Sequence, residues 1–369
     1  MASIISRNNR YCVVYSYVDE QGNRKQKWQT FKTLPEAKAR KTEIEYNQQL
    51  GAFTIPNCTT VSELLTEYVS LYGKAKWSIS AYTSNMSLIR HYIEPLLGSV
   101  KLKEITARTL EKYYQTLLKT PAVPKMTNRK NKKSSSLVTP ATIRKVHNLL
   151  RSAFNQAEKW DLIEKNPARY ATIPKEESRK RDIWDAQTLF KAIDCCKDDR
   201  LKLCMNVAFA CSLRIGELLA LTWDCVDISE ESIMAGKAYI YVNKELQRVS
   251  KSVMSTLESK DILVTFPEQG AKNKTVLVLK KPKTLTSTRK VFLKTVAEML
   301  VAWKMEQDAT IEALGSEYTN YQLVIATPYG LPTEASRIRK AMKDLIQDND
   351  LPPVVFHSLR HSSITYKLK

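Results

Sequence analysis

The chain has 369 residues, and its 58 Lys plus Arg against 38 Asp plus Glu give a net charge of +20 and a pI near 9.5, a surplus that favours polyanionic partners and disfavours acid-seeking surfaces. At 43% hydrophobic and 26% charged it has material for packed cores, which excludes wholesale disorder, and the length fits two or three domains. No window approaches the roughly eighteen apolar residues of a membrane helix, and MASIISRNNR lacks the apolar core of a signal peptide, so the composition points to a cytoplasmic protein with no membrane association.

Seven cysteines, Cys12, Cys58, Cys195, Cys196, Cys204, Cys211 and Cys225, form an odd set with no C-x-x-C pair. They read as reduced thiols, not as a disulfide framework or a zinc ribbon.

Charge divides the chain into three regions. Residues 1–60 carry nine basic and five acidic side chains, 61–176 carry twenty and nine, and 177–369 carry twenty-nine and twenty-four. The middle region holds over half the excess, so it is expected to lie closest to DNA.

Residues 11–18 (YCVVYSYV) and 24–31 (RKQKWQTF) read as two strands of a hairpin, with turn chemistry at Asp19-Glu20-Gln21-Gly22. A helix follows, capped by Thr33, opened by Pro35 and ended by Gly51. The product is either a small DNA-reading sheet with a helix behind it or a plain β-β-α domain with a solvated basic face.

Thr60-x-x-Glu63 is a capping box that opens a helix over 61–72, and further helices are predicted at 78–95, 106–119 and 140–159. Between the last two lies PAVPKMTNRKNKKSSSLVTP (121–140), which contains Lys125, Arg129, Lys130, Lys132 and Lys133 and no acidic residue. Such composition marks either a linker or a loop that orders on phosphates, and its place inside a basic helical region favours the second. The polar stretch 171–182 then separates this region from a mixed one. There, helices are predicted at 185–197, 199–211, 213–223, 294–313, 333–347 and 356–367. Strands are predicted at 226–234, 237–243, 275–280 and 288–293.

Three segments of the mixed region carry chemistry. In CSLRIGELLALTW (211–223), Ser212 is the candidate N-cap, placing Arg214 in the first helical turn with Glu217 on the same face. A cation at the positive helix end makes sense as a phosphate seat; otherwise the two residues form an ordinary surface pair. In FHSLRHSSITY (356–366), His357, Arg360 and His361 share one helical face, again a place for an anion. The spacing of the two histidines is that of a zincin pair, yet Ser358 stands where a metalloprotease needs Glu, and among four histidines a third ligand is not evident, so no metal is assigned. In KKPKTLTSTRKVFL (280–293), Lys283 falls near a predicted hairpin tip, where a lysine is by default solvated.

Taken in order, LRIGELLALTW, PKTLTSTR, TPYGLP and HSLRHS resemble the catalytic-domain pattern of the tyrosine recombinases, or phage integrase family, and are most similar to conjugative-transposon integrases. The resemblance implies a multidomain chain. A small α+β arm-type DNA-binding domain would occupy 1–55, an all-α, SAM-like core-binding domain 60–172, and a mixed α/β, mainly helical catalytic domain 178–369. It also implies site-specific recombination of a mobile element through a phosphotyrosine, without ATP, metal or other cofactor. The partners are double-stranded DNA at core and arm-type sites, further copies of the chain in a homotetrameric synaptic complex, and an excisionase as an accessory.

By the same resemblance, Arg214 and Arg360 hold the phosphate, Lys283 is the general acid, His357 assists proton transfer, Glu217 orients Arg214, and His361 is structural. The family's nucleophilic tyrosine follows the H-x-x-R motif by two helices. Tyr366 is only six residues after Arg360, so it is not assigned, and the expectation is a C-terminally truncated integrase unable to cleave. A cleavage-deficient DNA-binding remnant that occupies recombination sites is the alternative. A type IB topoisomerase fits the motif order less well.

Overall fold

The computed structural model describes residues 2–7, 10–18, 24–49, 58–123, 136–176, 182–267, 273–282 and 287–367. The chain forms two compact units, one of residues 1–70 with 88–175 and the other of 71–87 with 176–369.

In the first unit, β1 (Ser3–Arg7), β2 (Arg10–Val18) and β3 (Arg24–Phe31) pair antiparallel in the order β1-β2-β3. Strand alternation turns Val13 and Tyr15 to one face, where they meet Ala37 and Ile44 of the helix Leu34–Gln49. The hairpin expected from β2 and β3 is therefore a three-stranded sheet. β1 escapes sequence reading because it is short and mostly exposed, leaving little apolar alternation to see. The expected turn at 19–22 and Gly51 lie outside the described residues.

The capping box forms as its spacing predicts: Glu63 Oε2 accepts from the Thr60 amide at 3.1 Å, and Thr60 Oγ1 accepts from the Glu63 amide at 3.3 Å. The helix it opens, Val61–Tyr68, buries Val61, Leu64, Leu65 and Tyr68. Against it packs Pro140–Lys159, started by Thr139 with proline in its first turn and burying one long stripe from Ile143 to Ala157. Ala107–Leu118 completes the bundle's main helices. Its Tyr114 hydroxyl meets His147 Nδ1 at 2.9 Å, which makes that buried histidine a satisfied core group.

The second unit mixes helices with two antiparallel sheets. One has the order β4-β5-β9, formed by Val226–Asp227, Tyr239–Val242 and Arg289–Phe292. The other has the order β6-β8-β7, formed by Glu245–Ser250, Thr275–Lys280 and Ile262–Thr265. Its core gathers Leu203, Met205 and Val207 from the helix Asp199–Cys211, Ile240 and Val242 from β5, and Leu359 from the last helix, Phe356–Lys367. The predicted strand 226–234 is corrected: only Val226–Asp227 is extended. Ser229 Oγ then accepts from the Ser232 amide and starts the short helix Glu230–Met234. The predicted helix 213–223 is also corrected, to the single turn Ile215–Leu218. Among the described residues no helix is long and apolar enough to cross a membrane.

Candidate phosphate-binding site

The site is built where the helix Asp199–Cys211 stops. Ser212 adopts a left-handed conformation, φ 52° and ψ 39°, which ends the helix and turns the chain. It is thus the C-cap of the preceding helix, not the N-cap of the next. Leu213 is buried, and Arg214, extended at φ −75° and ψ 149°, is itself the N-cap of Ile215–Leu218.

Glu217, at the third position of that turn, accepts from the Arg214 amide at 3.0 Å and from Arg214 Nη1 at 2.6 Å. R-x-x-E is therefore a closed local unit. Gly216 within it lies in close approach to β6: a Cβ there would sit 3.0 Å from Glu245 Cγ and 3.2 Å from the Leu246 carbonyl, tighter than ordinary contact. Behind it, Glu245 pairs at 3.5 Å with the buried Lys280, its register partner on β8.

Two further arginines reach the same carboxylate. Arg289 opens β9 opposite Val242 of β5. Its Nη2 lies 3.0 Å from Glu217 Oε2 and its Nη1 3.5 Å from Oε1, while Nη1 also donates to the Ser287 carbonyl at 3.0 Å. Arg360 stands on the last helix, which packs against Asp199–Cys211. Its Nη1 donates to the Ser212 carbonyl and lies 3.9 Å from Glu217 Oε2.

Three guanidiniums thus surround one carboxylate whose side chain is 5% exposed, with Arg289 29%, Arg360 22% and Arg214 52% exposed. Burial alone would raise the Glu217 carboxyl, yet hydrogen bonds from Arg289 and Arg214 outweigh it and hold the group below its ordinary value. Desolvation, then repulsion from Arg214 and from Arg289, lowers Arg360 despite the opposing pull of Glu217. It nonetheless keeps its charge at any physiological pH. The cluster carries two positive charges in excess. Partly exposed, forked guanidiniums in such a cluster are suited to phosphate oxygens.

The structure therefore brings Arg214, Glu217 and Arg360 together across 146 residues of sequence separation. His357 is exposed one turn before Arg360, its ring 5.0 Å edge-on from that of His361, whose Nε2 is buried without a hydrogen-bond partner among the described residues. Lys283 lies outside the described residues, as do Lys125, Arg129, Lys130, Lys132 and Lys133. Among the described residues, no three His, Cys, Asp or Glu are grouped to hold a metal. Arg289 ends the PKTLTSTR segment but received no role in sequence reasoning. The sequence RKVF carries no alternation that marks it; only the pairing of β9 shows Arg289 and Val291 half-buried while Lys290 and Phe292 are exposed.

Comparison with known proteins gives a consistent picture. Residues 60–118 match the sequence profile of the phage integrase N-terminal SAM-like domain. A XerC-like tyrosine recombinase of Caldanaerobacter subterraneus subsp. tengcongensis is 25% identical over 358 residues, covering 94% of this chain and 82% of that protein. The ICEBs1 integrase of Bacillus subtilis is 23% identical over 286 residues, 77% of this chain and 65% of the relative. Among solved structures, the Tn1549 transposon integrase in complex with transposon right end DNA has a TM-score of 0.61 at 14% identity, covering 84% of this chain and 86% of its own. A lambda integrase tetramer bound to a Holliday junction has a TM-score of 0.51 at 18% identity, covering 99% and 91%. The fold is that of these multidomain integrases.

Proposed function

From the chain's membership of the tyrosine recombinase family, we propose that it is a site-specific DNA recombinase of a mobile element. The observation that carries this reading is the convergence of Arg214, Arg289 and Arg360 on Glu217, which leaves a double positive charge beside solvent. In the reaction a tyrosine oxygen bonds to the scissile phosphorus, the bond to the 5′-oxygen breaks, and that oxygen takes up a proton. The phosphorane between these states carries more negative charge than the ground-state diester, so fixed cations lower the barrier.

Arg214 and Arg360 hold the non-bridging oxygens, and Glu217 sets the orientation of Arg214. Lys283 protonates the leaving 5′-oxygen, His357 assists proton transfer and touches a phosphate oxygen, and His361 supports His357 by packing. No residue within 1–369 is assigned as nucleophile, so this polypeptide by itself is expected to bind DNA without cleaving it. Residues 60–172 form a core-binding domain in which Lys125, Arg129, Lys130, Lys132 and Lys133 bind DNA phosphates, 1–55 form an arm-type domain, and 178–369 form the catalytic domain. Double-stranded DNA and three further copies of the chain are its partners, with an excisionase as an accessory in excision. The SAM-like match at 60–118 and the DNA complexes of similar integrases support this arrangement.

Footprinting the purified protein on the ends of its own mobile element tests the proposal. Protection of a core site at each end, and separate protection of short repeats by the fragment 1–55, is expected. Uniform protection without any preferred site would refute it.

A further inference from the structure

We infer that Arg289 is a positioning residue of the phosphate seat: it neutralises and clamps Glu217, so that the charges of Arg214 and Arg360 remain available to the phosphate. The inference rests on the recombinase reading above and gives a role to Arg289, the last residue of the PKTLTSTR segment, to which that reading assigned none.

The geometry favours this division of roles. Arg289 approaches the Glu217 carboxylate with both terminal nitrogens, at 3.0 and 3.5 Å, and its Nη1 is also held by the Ser287 carbonyl. Its guanidinium is thus fixed between a strand and a carboxylate, with few donors left for a ligand. Arg214 has the opposite character: one nitrogen contacts Glu217, and half of its side chain is exposed. Arg360 is tied to the Ser212 carbonyl and stands 3.9 Å from Glu217, beyond hydrogen-bond distance.

Charge counting leads to the same conclusion. Three arginines and one glutamate leave two positive charges, equal in size and opposite in sign to the charge of a phosphorane with two ionised oxygens. Without Arg289 the cluster falls to one. Glu217, then short of a partner, would draw Arg214 and Arg360 inward, because a buried carboxylate left under-satisfied recruits whatever cation is near. Arg289 therefore acts on the ligand through Glu217, and it comes from the strand that directly follows the Lys283 segment.

The test uses binding alone, so it needs no nucleophile. A duplex carrying the footprinted core site is prepared as a series, each member with one phosphate of the crossover region replaced by a neutral methylphosphonate. For the unaltered protein, one position per strand should lose affinity about tenfold, the scale of a charge-assisted hydrogen bond. Arg289→Gln should erase most of that contrast by weakening the members that keep this phosphate, while affinity for the member neutral at that position and the thermal midpoint stay near the parent. Arg289→Lys, which keeps the charge and loses the fork, should retain part of it. In a Glu217→Gln background, Arg289→Gln should add nothing further.

If the unaltered protein shows no sensitive position, the phosphate-seat reading itself fails and the inference with it. If the sensitive position survives in Arg289→Gln, only the inference fails. Uniform weakening at every position with a lowered midpoint in both Arg289 variants, or additive effects of the Glu217 and Arg289 changes, would make Arg289 a structural arginine of β9 and overturn the inference.

Discussion

The Ser212 carbonyl accepts a hydrogen bond from the Arg360 guanidinium, while the Ser212 hydroxyl lies 2.7 Å from that of Ser363 on the same helix. One left-handed residue thus links the chain turn that presents Arg214 to the helix that presents Arg360. A side chain at φ 52° is strained, and a β-branched one more so, by about 1–2 kcal/mol. Ser212→Val should therefore lose stability by that amount or more and also weaken binding to a core-site duplex. Ser212→Gly, which accepts the conformation freely but lacks the hydroxyl, should stay close to the parent. Urea denaturation of the two variants checks the order; equal losses would show that the backbone conformation is not what matters.

Arg214 and Arg360 should differ from Lys283 in the step they serve. In a cleavage-competent protein, Arg214→Ala and Arg360→Ala should each slow cleavage by orders of magnitude, one lost contact to a developing oxyanion being worth roughly 2.7–4 kcal/mol, with DNA affinity changed far less. Lys283→Ala should be rescued by a substrate whose 5′ leaving group is a phosphorothiolate, which needs no acid, whereas Arg214→Ala should not. Proportionate loss of affinity and cleavage would make the arginines plain phosphate anchors, and absent rescue would remove Lys283 from the acid role.

Glu217 predicts a specific acid limb. Its carboxyl is held low in the folded protein, against the opposing effect of burial, by hydrogen bonds from Arg289 and Arg214. A carboxyl lowered by folding contributes stability that is fully present above its unfolded value, about 4.3, and is lost as pH falls through the folded value. The stability gap between the parent and Glu217→Gln should be constant from pH 8 to about pH 5 and shrink below about pH 4.3. Denaturant titrations at several pH values measure this. A gap that widens toward acid would mean that the carboxyl is raised in the folded state.

Sequence reading succeeded where the determinants were local. Thr60 with Glu63 marks its helix because a cap and its helix lie within four residues, and the helix expected at 140–159 forms as Pro140–Lys159. The R-x-x-E spacing likewise foretold the Arg214–Glu217 pair. What escaped was non-local. β6 (ELQRVS) has too few apolar residues to announce a strand, and its pairing with β8 is made across a long insertion. The left-handed Ser212 reversed the expected cap because CSLR contains no glycine to signal a helix end. Arg289 gained its meaning only when strand pairing brought it to Glu217, 72 residues earlier in the chain.

Salt dependence should expose the role of the middle region. Six to ten phosphate contacts, an ordinary number for a DNA clamp, give a log–log slope of affinity against salt of roughly −5 to −9. Replacing Lys125, Arg129, Lys130, Lys132 and Lys133 by alanine removes up to five such contacts and should flatten the slope by as much as about 4.5. Equal slopes for parent and variant in filter binding between low and moderate salt would assign 121–140 to a connecting role only.

Tyr366 supplies the last prediction: the polypeptide 1–369 should form no covalent adduct with DNA. Attack requires a tyrosine oxygen about 3–3.5 Å from phosphorus and in line with the leaving oxygen. Position 366 shares the helix Phe356–Lys367 with Arg360. Six residues on, at 1.5 Å of rise each, it lies about 9 Å along the axis and about 600° around it, which leaves it about 120° from the face of Arg360. A helix that aims Arg360 at the Ser212 turn therefore carries position 366 away from the phosphate seat. Incubation with a suicide duplex nicked beside the cleavage position, followed by denaturing electrophoresis, reads the outcome directly. Free DNA alone is expected, both for the parent and for Tyr366→Phe. A covalent band in the parent that disappears in Tyr366→Phe would make Tyr366 the nucleophile and overturn this reading.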